Sequence, residues 1–484
     1  MNPVVWRRRL AAPVLCVFLT LTAAGAHAQA PRFEALADTV AAMMEVAGVP
    51  GLAMAVVEDG AVVWSRGFGV RSTVTRPPVA AGTVFEAGAM GMPVLAYVVL
   101  QLADEGMLDL DRPLPTYLPA DDVPDERLRR VTARQVLSHT AGFPASPPPD
   151  GELVLDFDPG TRFQYSGLGY LYLQRVVEHV TGQSLQDLAA RRVFEPLGMT
   201  ETSFVWERRF GARLAAGHRE DGVALDKLTP EVPQAAWSLH TTAPDYARFL
   251  VAVLHGEGLS TAAREAMLTP LADAEDGIRW GLGWGLQPGP NGVAFWHWGD
   301  NVGYKSFALL DTSTRKGLVL LTNSENGMLL LQPLLRVVLG REQPAADWLG
   351  YDRYDDPRYQ ITAELFRIIT TDGVAAALAR HEALKAAGTY PPDAFGEDLL
   401  NALGYRLLRT GRVEEAIAVF RRNVELFPEA YNPYDSLGEA YLMQGNLRLA
   451  LENYQKSVAL NPGNTHGARM IQQLRAALLQ PKGQ

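Results

Sequence analysis

The sequence of 484 residues holds a single cysteine, Cys16, and that residue lies in an amino-terminal segment that reads as a cleavable leader. With the leader gone no thiol is left, which excludes disulfides, thiolate metal sites and a cysteine nucleophile together. Histidine is sparse, 9 in all, with no cluster at metal-ligand spacing, and no phosphate-cradling glycine loop occurs. No metal and no cofactor is therefore expected. Basic charge is also short: 44 Lys and Arg stand against 54 Asp and Glu. An acidic balance repels a phosphate backbone, so no nucleic acid partner is expected.

An apolar run, Leu10 to Ala24, follows Arg7, Arg8 and Arg9 and ends in Ala26-His27-Ala28. A basic start, a short apolar stretch and small residues at the exit describe a secretory signal peptide cleaved after Ala28. The run is short for a bilayer, so no membrane span is expected in the mature chain. Val14-Leu15 ahead of Cys16 also lacks the small residues that precede a lipid-modified cysteine. Cleavage removes three arginines and no acid, which takes 44 basic residues to 41 and the formal charge from -10 to -13.

What remains has the composition of an ordinary globular protein, 48% hydrophobic and 20% charged, with length for two or three domains. Gly51 to Val70 carries two apolar, β-branched runs around Glu58-Asp59-Gly60, a hairpin pattern. Further strand-like runs come far downstream, at GLGWGLQ, GYKSFALLD and GLVLLTNS. Between them the chain is helical and loop-rich, with prolines at 113, 115, 119, 124, 144, 147, 148 and 149. An antiparallel sheet made from both ends of one domain, with a helical region inserted, fits this order.

Polar and irregular Asp347 to Pro357 separates that domain from a helical tail. In the tail Leu403, Gly404, Ala416, Phe420 and Pro428 recur 34 residues later as Leu437, Gly438, Ala450, Tyr454 and Pro462. The period, the small residues where paired helices meet and the proline after the second helix resemble tetratricopeptide repeats. Ala363 to Gly388 reads as a degenerate further hairpin and Thr465 to Leu479 as a capping helix. The expected organisation is a signal peptide over 1–28, a first domain over 29–345 and a linker with a degenerate helical hairpin over 346–396. Two repeats over 397–462 and a capping helix and tail over 463–484 complete it.

From about Ala30 to Gln343 the chain resembles the class C β-lactamase and penicillin-binding-protein-like serine hydrolase family. The resemblance is carried in order by LDLDRPLPTYLP, VTARQVLSHTAGF, FQYSGLGYLYLQRVVEHVTGQSL, FEPLGMTETSF, LHTTAPDYARFL and FWHWGDNVGYKS. It implies a β-lactamase-like α/β (α+β) fold, an antiparallel sheet flanked by helices plus a helical region, and hydrolysis of an ester, amide or β-lactam. Three elements carry that chemistry. An S-x-x-K at a helix start sets a lysine one turn beyond a nucleophilic serine. A Tyr-x-Asn on a loop shares the proton traffic and holds substrate, and a His-x-Gly or Lys-Thr-Gly strand lies beside the oxyanion site.

The first element falls at Ala89-Met90-Gly91-Met92, just before Pro93. A proline is tolerated only in the first turn of a helix, so a helix is expected to begin near Ala89. Ala89 has no nucleophile and Met92 cannot move a proton. The second element, Tyr165-Ser166-Gly167, keeps the tyrosine and has Gly167 for the asparagine; the third, His297-Trp298-Gly299, is intact. Trp237 stands where the resemblance implies glycine, and its indole either intrudes on the cleft or packs on a neighbour. Tyr165 and His297 each have a plain structural reading too, as a loop anchor and a hydrogen-bonded core histidine. His139, in LSHTAG, belongs by resemblance to a fold-stabilising turn.

The expectation is a secreted protein of the bacterial periplasm that lacks serine-hydrolase activity. Tyr165, Ser166, Trp237, His297 and Trp298 are candidates to line a cleft holding a peptide, glycan or small ester or amide, while the repeats recruit a protein. The alternative is an active hydrolase with a relocated nucleophile. Ser166 is the candidate beside Tyr165, although no lysine or carboxylate is visibly poised to activate it.

Overall fold

The computed structural model describes residues 21–119, 125–145 and 153–479, with side chains from residue 32 onward. The expected hairpin joins β1 (Gly51–Glu58) to β2 (Ala61–Gly69). Asp59 and Gly60 take φ of 52° and 74°, the left-handed pair that a two-residue turn between twisted strands requires. The remaining strands are β3 (Phe85–Gly88), β4 (Leu239–Thr241), β5 (Ala272–Asp273), β6 (Arg279–Trp280), β7 (Gly285–Pro288), β8 (Val293–Asn301), β9 (Tyr304–Asp311) and β10 (Lys316–Thr322). Eight of them form one sheet in the order β2-β1-β10-β9-β8-β7-β6-β5, and β3 pairs with β4. Every neighbour in the large sheet is antiparallel, so the two ends of the domain do meet in it, at β1 and β10.

Both faces of this sheet are covered, which is why β1 is buried at every position. Ala53, Ala55 and Val57 point into one apolar cluster and Leu52, Met54 and Val56 into the other, the alternation that a strand imposes. The first cluster is built with helices Gly91–Asp104, Gly167–Thr181 and Ala243–His255; the second with helices Leu21–Ala47 and Leu331–Leu339. Helix Gly91–Asp104 is buried from Gly91 to Leu102, as its nearly unbroken apolar sequence demands. It starts two residues later than Ala89, which leaves Pro93 in the first turn.

The tail is a run of paired helices, Pro357–Asp372, Val374–Ala387, Glu397–Arg409, Val413–Leu426, Tyr431–Met443 and Leu447–Leu460, followed by Thr465–Leu479. Its repeat has a steric cause. A Cβ at Gly404 would fall 2.3 Å from the Phe420 ring, and one at Gly438 3.2 Å from Tyr454. Glycine lets each helix pair close.

One expectation changes here. Residues 346–354, read as linker, belong to the packing of the first domain. Helix Pro344–Leu349 buries Ala345 and Ala346 in the second cluster, and Trp348, Leu349, Tyr351 and Tyr354 pack against it. The Ala345 amide donates to Gln287 Oε1 at 2.9 Å and the Tyr354 amide to the Leu329 carbonyl at 3.1 Å. The aromatic residues that made this stretch look irregular are the ones that cover the sheet. Residues 1–20 of the expected leader lie outside the described residues. Among those described, no helix is long and apolar enough to cross a membrane.

Candidate functional site

Strand β3 turns through Ala89 and Met90 into helix Gly91–Asp104, and β8 crosses close behind that turn. A Cβ on Gly299 would lie 2.0 Å from the Ala87 carbonyl oxygen and 2.5 Å from Ser306 Oγ, so only glycine permits the crossing. Ser306 then donates to the same Ala87 carbonyl at 2.9 Å, and the Tyr246 hydroxyl donates to the Met90 carbonyl at 3.0 Å. The turn is thus fixed from two sides. Gly88 sits at φ 56°, against the Asn301 side chain.

Inside this frame the candidate residues divide. Met92 is buried, and the Tyr165 hydroxyl donates to its Sδ at 3.6 Å. A Cβ at Gly167 would meet Ala236 Cβ at 3.2 Å and Met92 Cε at 3.6 Å, so position 167 faces the same spot. The Tyr165 ring lies 4.4 Å from His139, 4.6 Å from Trp298 and 6.2 Å from His297 between centroids. Ala89 is partly exposed at the edge of this group. Tyr165, Gly167, Met92, His297 and Trp298 therefore do come together.

The electrostatics of the group are those of buried side chains. Burial pushes the Tyr165 phenol above its ordinary pKa and lowers His297 to about 3. His139 is held well below 6.5, first by burial and then by proximity to His297. It takes φ 56° and accepts the Ser166 amide on Nδ1 at 3.0 Å, which makes it the pin of its turn. His297 Nδ1 lies against the Trp298 backbone, 3.0 Å from its amide, and the Nε2 atoms of both histidines are buried without a partner among the described residues. Both imidazoles stay neutral at physiological pH.

Two other candidates are placed differently. Ser166 Oγ donates to the Pro144 carbonyl at 2.6 Å and accepts the Gly169 amide at 3.3 Å, capping helix Gly167–Thr181. Trp237 keeps 38% of its surface exposed and joins the site through its backbone carbonyl, which accepts from Asn301 Nδ2 at 3.0 Å.

Sequence reasoning missed the residues that close the site from behind. Trp280 lies 5.1 Å from His139, and Trp348 lies 5.9 Å from Trp298. Tyr351, from the stretch read as linker, donates its hydroxyl to Asp300, next to Gly299. Glu86 is buried, its carboxyl raised by burial, with Oε2 accepting from Asn301 at 3.2 Å and Oε1 unpartnered among the described residues. The nearby amine of Lys305 is held by Asp300 at 2.7 Å and Glu325 at 2.5 Å. Around Tyr165 the chain offers a thioether, a phenol and neutral imidazoles. No group of three or more His, Cys, Asp or Glu placed to hold a metal occurs among the described residues.

Comparison with known proteins identifies the frame. A beta-lactamase family profile matches residues 36–338, and a tetratricopeptide repeat profile matches residues 432–464. The chain is 29% identical over 338 residues to penicillin-binding protein 4 of Amycolatopsis lactamdurans, covering 60% of this chain and 85% of that protein. It is 25% identical over 318 residues to penicillin-binding protein 4* of Bacillus subtilis (strain 168), covering 58% and 69%. Among solved structures, the D-alanine carboxypeptidase AmpC from Burkholderia cenocepacia superimposes with a TM-score of 0.56 at 22% identity, covering 64% of this chain and 99% of that one, a likeness of fold.

Proposed function

The chain belongs to the beta-lactamase family, with a tetratricopeptide repeat in its tail, and we propose that it has kept the family's cleft while losing its acyl-enzyme chemistry. Ala89 and Met92 stand in the positions of the nucleophile and its base, and Gly167 in that of the substrate-holding asparagine. The observation that carries this reading is the bond from the Tyr165 hydroxyl to Met92 Sδ at 3.6 Å. Where a catalytic amine would exchange a proton with the phenol, a thioether only accepts one weak hydrogen bond. Loss of the nucleophile alone costs about 10^6 in rate in a well-studied serine protease, and further losses within one catalytic unit do not add.

The protein then acts by binding. The names of its penicillin-binding relatives favour a peptide, or a small ester or amide, in the cleft, and the repeat favours a protein partner for the tail. The leader-like start favours export to the periplasm. The relocated-nucleophile reading is weakened by Ser166, whose hydroxyl is engaged by the Pro144 carbonyl and the Gly169 amide. Steady-state assays separate the two readings: hydrolysis of chromogenic cephalosporins and short-chain nitrophenyl esters is expected at background. Turnover that survives Ser166→Ala would refute the relocated nucleophile, and turnover of any kind would refute the inactive site.

A further inference from the structure

Away from the cleft, the tail meets the first domain across a gap. A cavity of about 560 Å³ lies between them, lined on the tail side by Asp398, Ala402, Tyr405 and Arg409 of helix Glu397–Arg409. Among the described residues no apolar cluster joins the two bodies. The last residue on the first domain's cluster is Tyr359, in the first turn of the tail, and the tail's own cluster begins at Ile361. No tail helix runs packed against a helix or strand of the first domain. A boundary without a shared apolar core leaves relative motion as the expected behaviour.

One carboxylate spans the gap. Arg409 Nε donates to Glu220 Oε1 at 2.5 Å, and Arg406 Nε lies 3.4 Å from Glu220 Oε2. Among the described residues no other side-chain hydrogen bond or ion pair joins residues 357–479 to residues 32–355. Glu220 is carried by a pinned loop: its carbonyl accepts from Asn326 Nδ2 at 3.1 Å, and the His218 carbonyl two residues earlier accepts the Glu325 amide at 3.0 Å. On the tail side Arg406 is held by the Phe366 ring, 4.5 Å from its guanidinium carbon, and by the Tyr359 ring at 5.7 Å. Each half of the contact is thus fixed to its own body, and the contact can part without unfolding either.

We propose that Glu220 is an electrostatic latch: the tail is closed on the first domain while Glu220 holds Arg406 and Arg409, and it swings open when that contact parts. Charge and exposure set how the latch responds. The Arg409 side chain is 58% exposed, so salt reaches the pair and weakens it, whereas salt does not loosen an apolar interface. Opening widens access to Asp398, Ala402 and Tyr405, which line the gap in the closed form. A protein that binds this face of the helix therefore favours the open form, a consequence that rests on the repeats binding a protein. The latch itself is independent of that reading and of the chemistry at Ala89 and Met92.

The test uses the full chain beyond residue 28, which holds no cysteine, with donor and acceptor dyes on Val74→Cys and Gln444→Cys, both exposed positions. Single-molecule energy transfer then counts closed and open forms. The closed form is expected to prevail at about 0.05 M salt, and about 1 M salt is expected to lower the closed-to-open ratio several-fold. At low salt Glu220→Gln and Arg409→Gln are each expected to lower that ratio about tenfold, the worth of one charge-assisted hydrogen bond. The double variant is expected to stay within about twofold of Glu220→Gln, because both changes remove one contact. Arg409 is exposed in the last turn of its helix, so its variant decides if Glu220→Gln melts without cooperativity. A closed form that neither salt nor either variant shifts, an open form in the labelled chain at low salt, or single effects that add in the double variant would each overturn the proposal.

Discussion

The Tyr165 hydroxyl rests on the sulfur of Met92 at 3.6 Å, so the phenol is bonded to the side chain that, in the proposed reading, takes the place of a base. Thioether and phenol form a closed, weakly polar pair in a buried setting where a charged amine would need a partner. That pairing makes the substitutions at positions 89 and 92 reversible on paper.

Ala89→Ser with Met92→Lys should therefore restore slow acylation by an activated ester or a penicillin, labelling at least about tenfold above either single change, because a serine without a base is a poor nucleophile. Met92 is 1% exposed, so the new lysine is expected to destabilise the fold by several kcal/mol, and cooperative melting has to be checked first. Gly167→Asn should add substrate positioning provided Ala236, 3.2 Å from the new Cβ, gives way. An unlabelled but folded double variant would mean that positions 89 and 92 are not the nucleophile and base positions.

Gly299→Ala should destabilise the first domain by about 1–3 kcal/mol, since its Cβ would fall 2.0 Å from the Ala87 carbonyl oxygen and force β8 away from the turn. Urea unfolding measures this directly. A change under about 0.5 kcal/mol would contradict the close crossing.

How much of this was legible in sequence depends on whether a local pattern recorded the contact. Asp59-Gly60 announced its turn because that turn needs positive φ at both residues, and Gly404 and Gly438 announced helix pairs because a ring occupies the place of their Cβ. Tyr165, Gly167 and His297 are singled out by motif; Tyr165 and Gly167 lie against Met92, and His297 lies 6.2 Å from the Tyr165 ring. The cover of residues 344–354 left no periodic trace, since Ala345, Trp348 and Tyr354 reach the sheet one at a time from a short helix and a loop. Ser166 beside Tyr165 looked like a reactive neighbour, and its capping role shows only through Pro144 and Gly169. Arg406 and Glu220 meet across two domains, which no spacing encodes.

The domain boundary follows from that cover. A chain ending at Gln343 should lose several kcal/mol relative to one ending at Asp356, because it discards buried Ala345 and Ala346 and the Trp348 contact. Melting of both truncated chains checks this, and equal stability would leave residues 346–356 in the linker, as the sequence reading had them.

Stability should fall with acid. His297 titrates at about 3 and His240 at about 4 in the fold, and His139, His218 and His381 are lowered too, burial being the first cause in each. In the unfolded chain each takes its proton near an ordinary value of about 6.5. The stabilisation is complete above that pH and is lost as pH falls toward the folded values, at up to about 1.4 kcal/mol per pH unit for each histidine. Glu86, Asp245 and Glu397, raised by burial, act in the opposite direction and offset part of the loss. Five imidazoles outnumber three carboxylates, so urea midpoints should drop between pH 7 and pH 5. A flat or rising profile would contradict neutral imidazoles in the fold.

The central claim is that the residues at positions 89 and 92 leave no acyl-enzyme to form. Intact-mass measurement of the purified protein after prolonged exposure to a penicillin and to a fluorophosphonate tests it most directly. The expected result is an unchanged mass for the wild-type chain under conditions that label Ala89→Ser/Met92→Lys. A stoichiometric adduct on the wild-type chain, mapped to any serine, would contradict it.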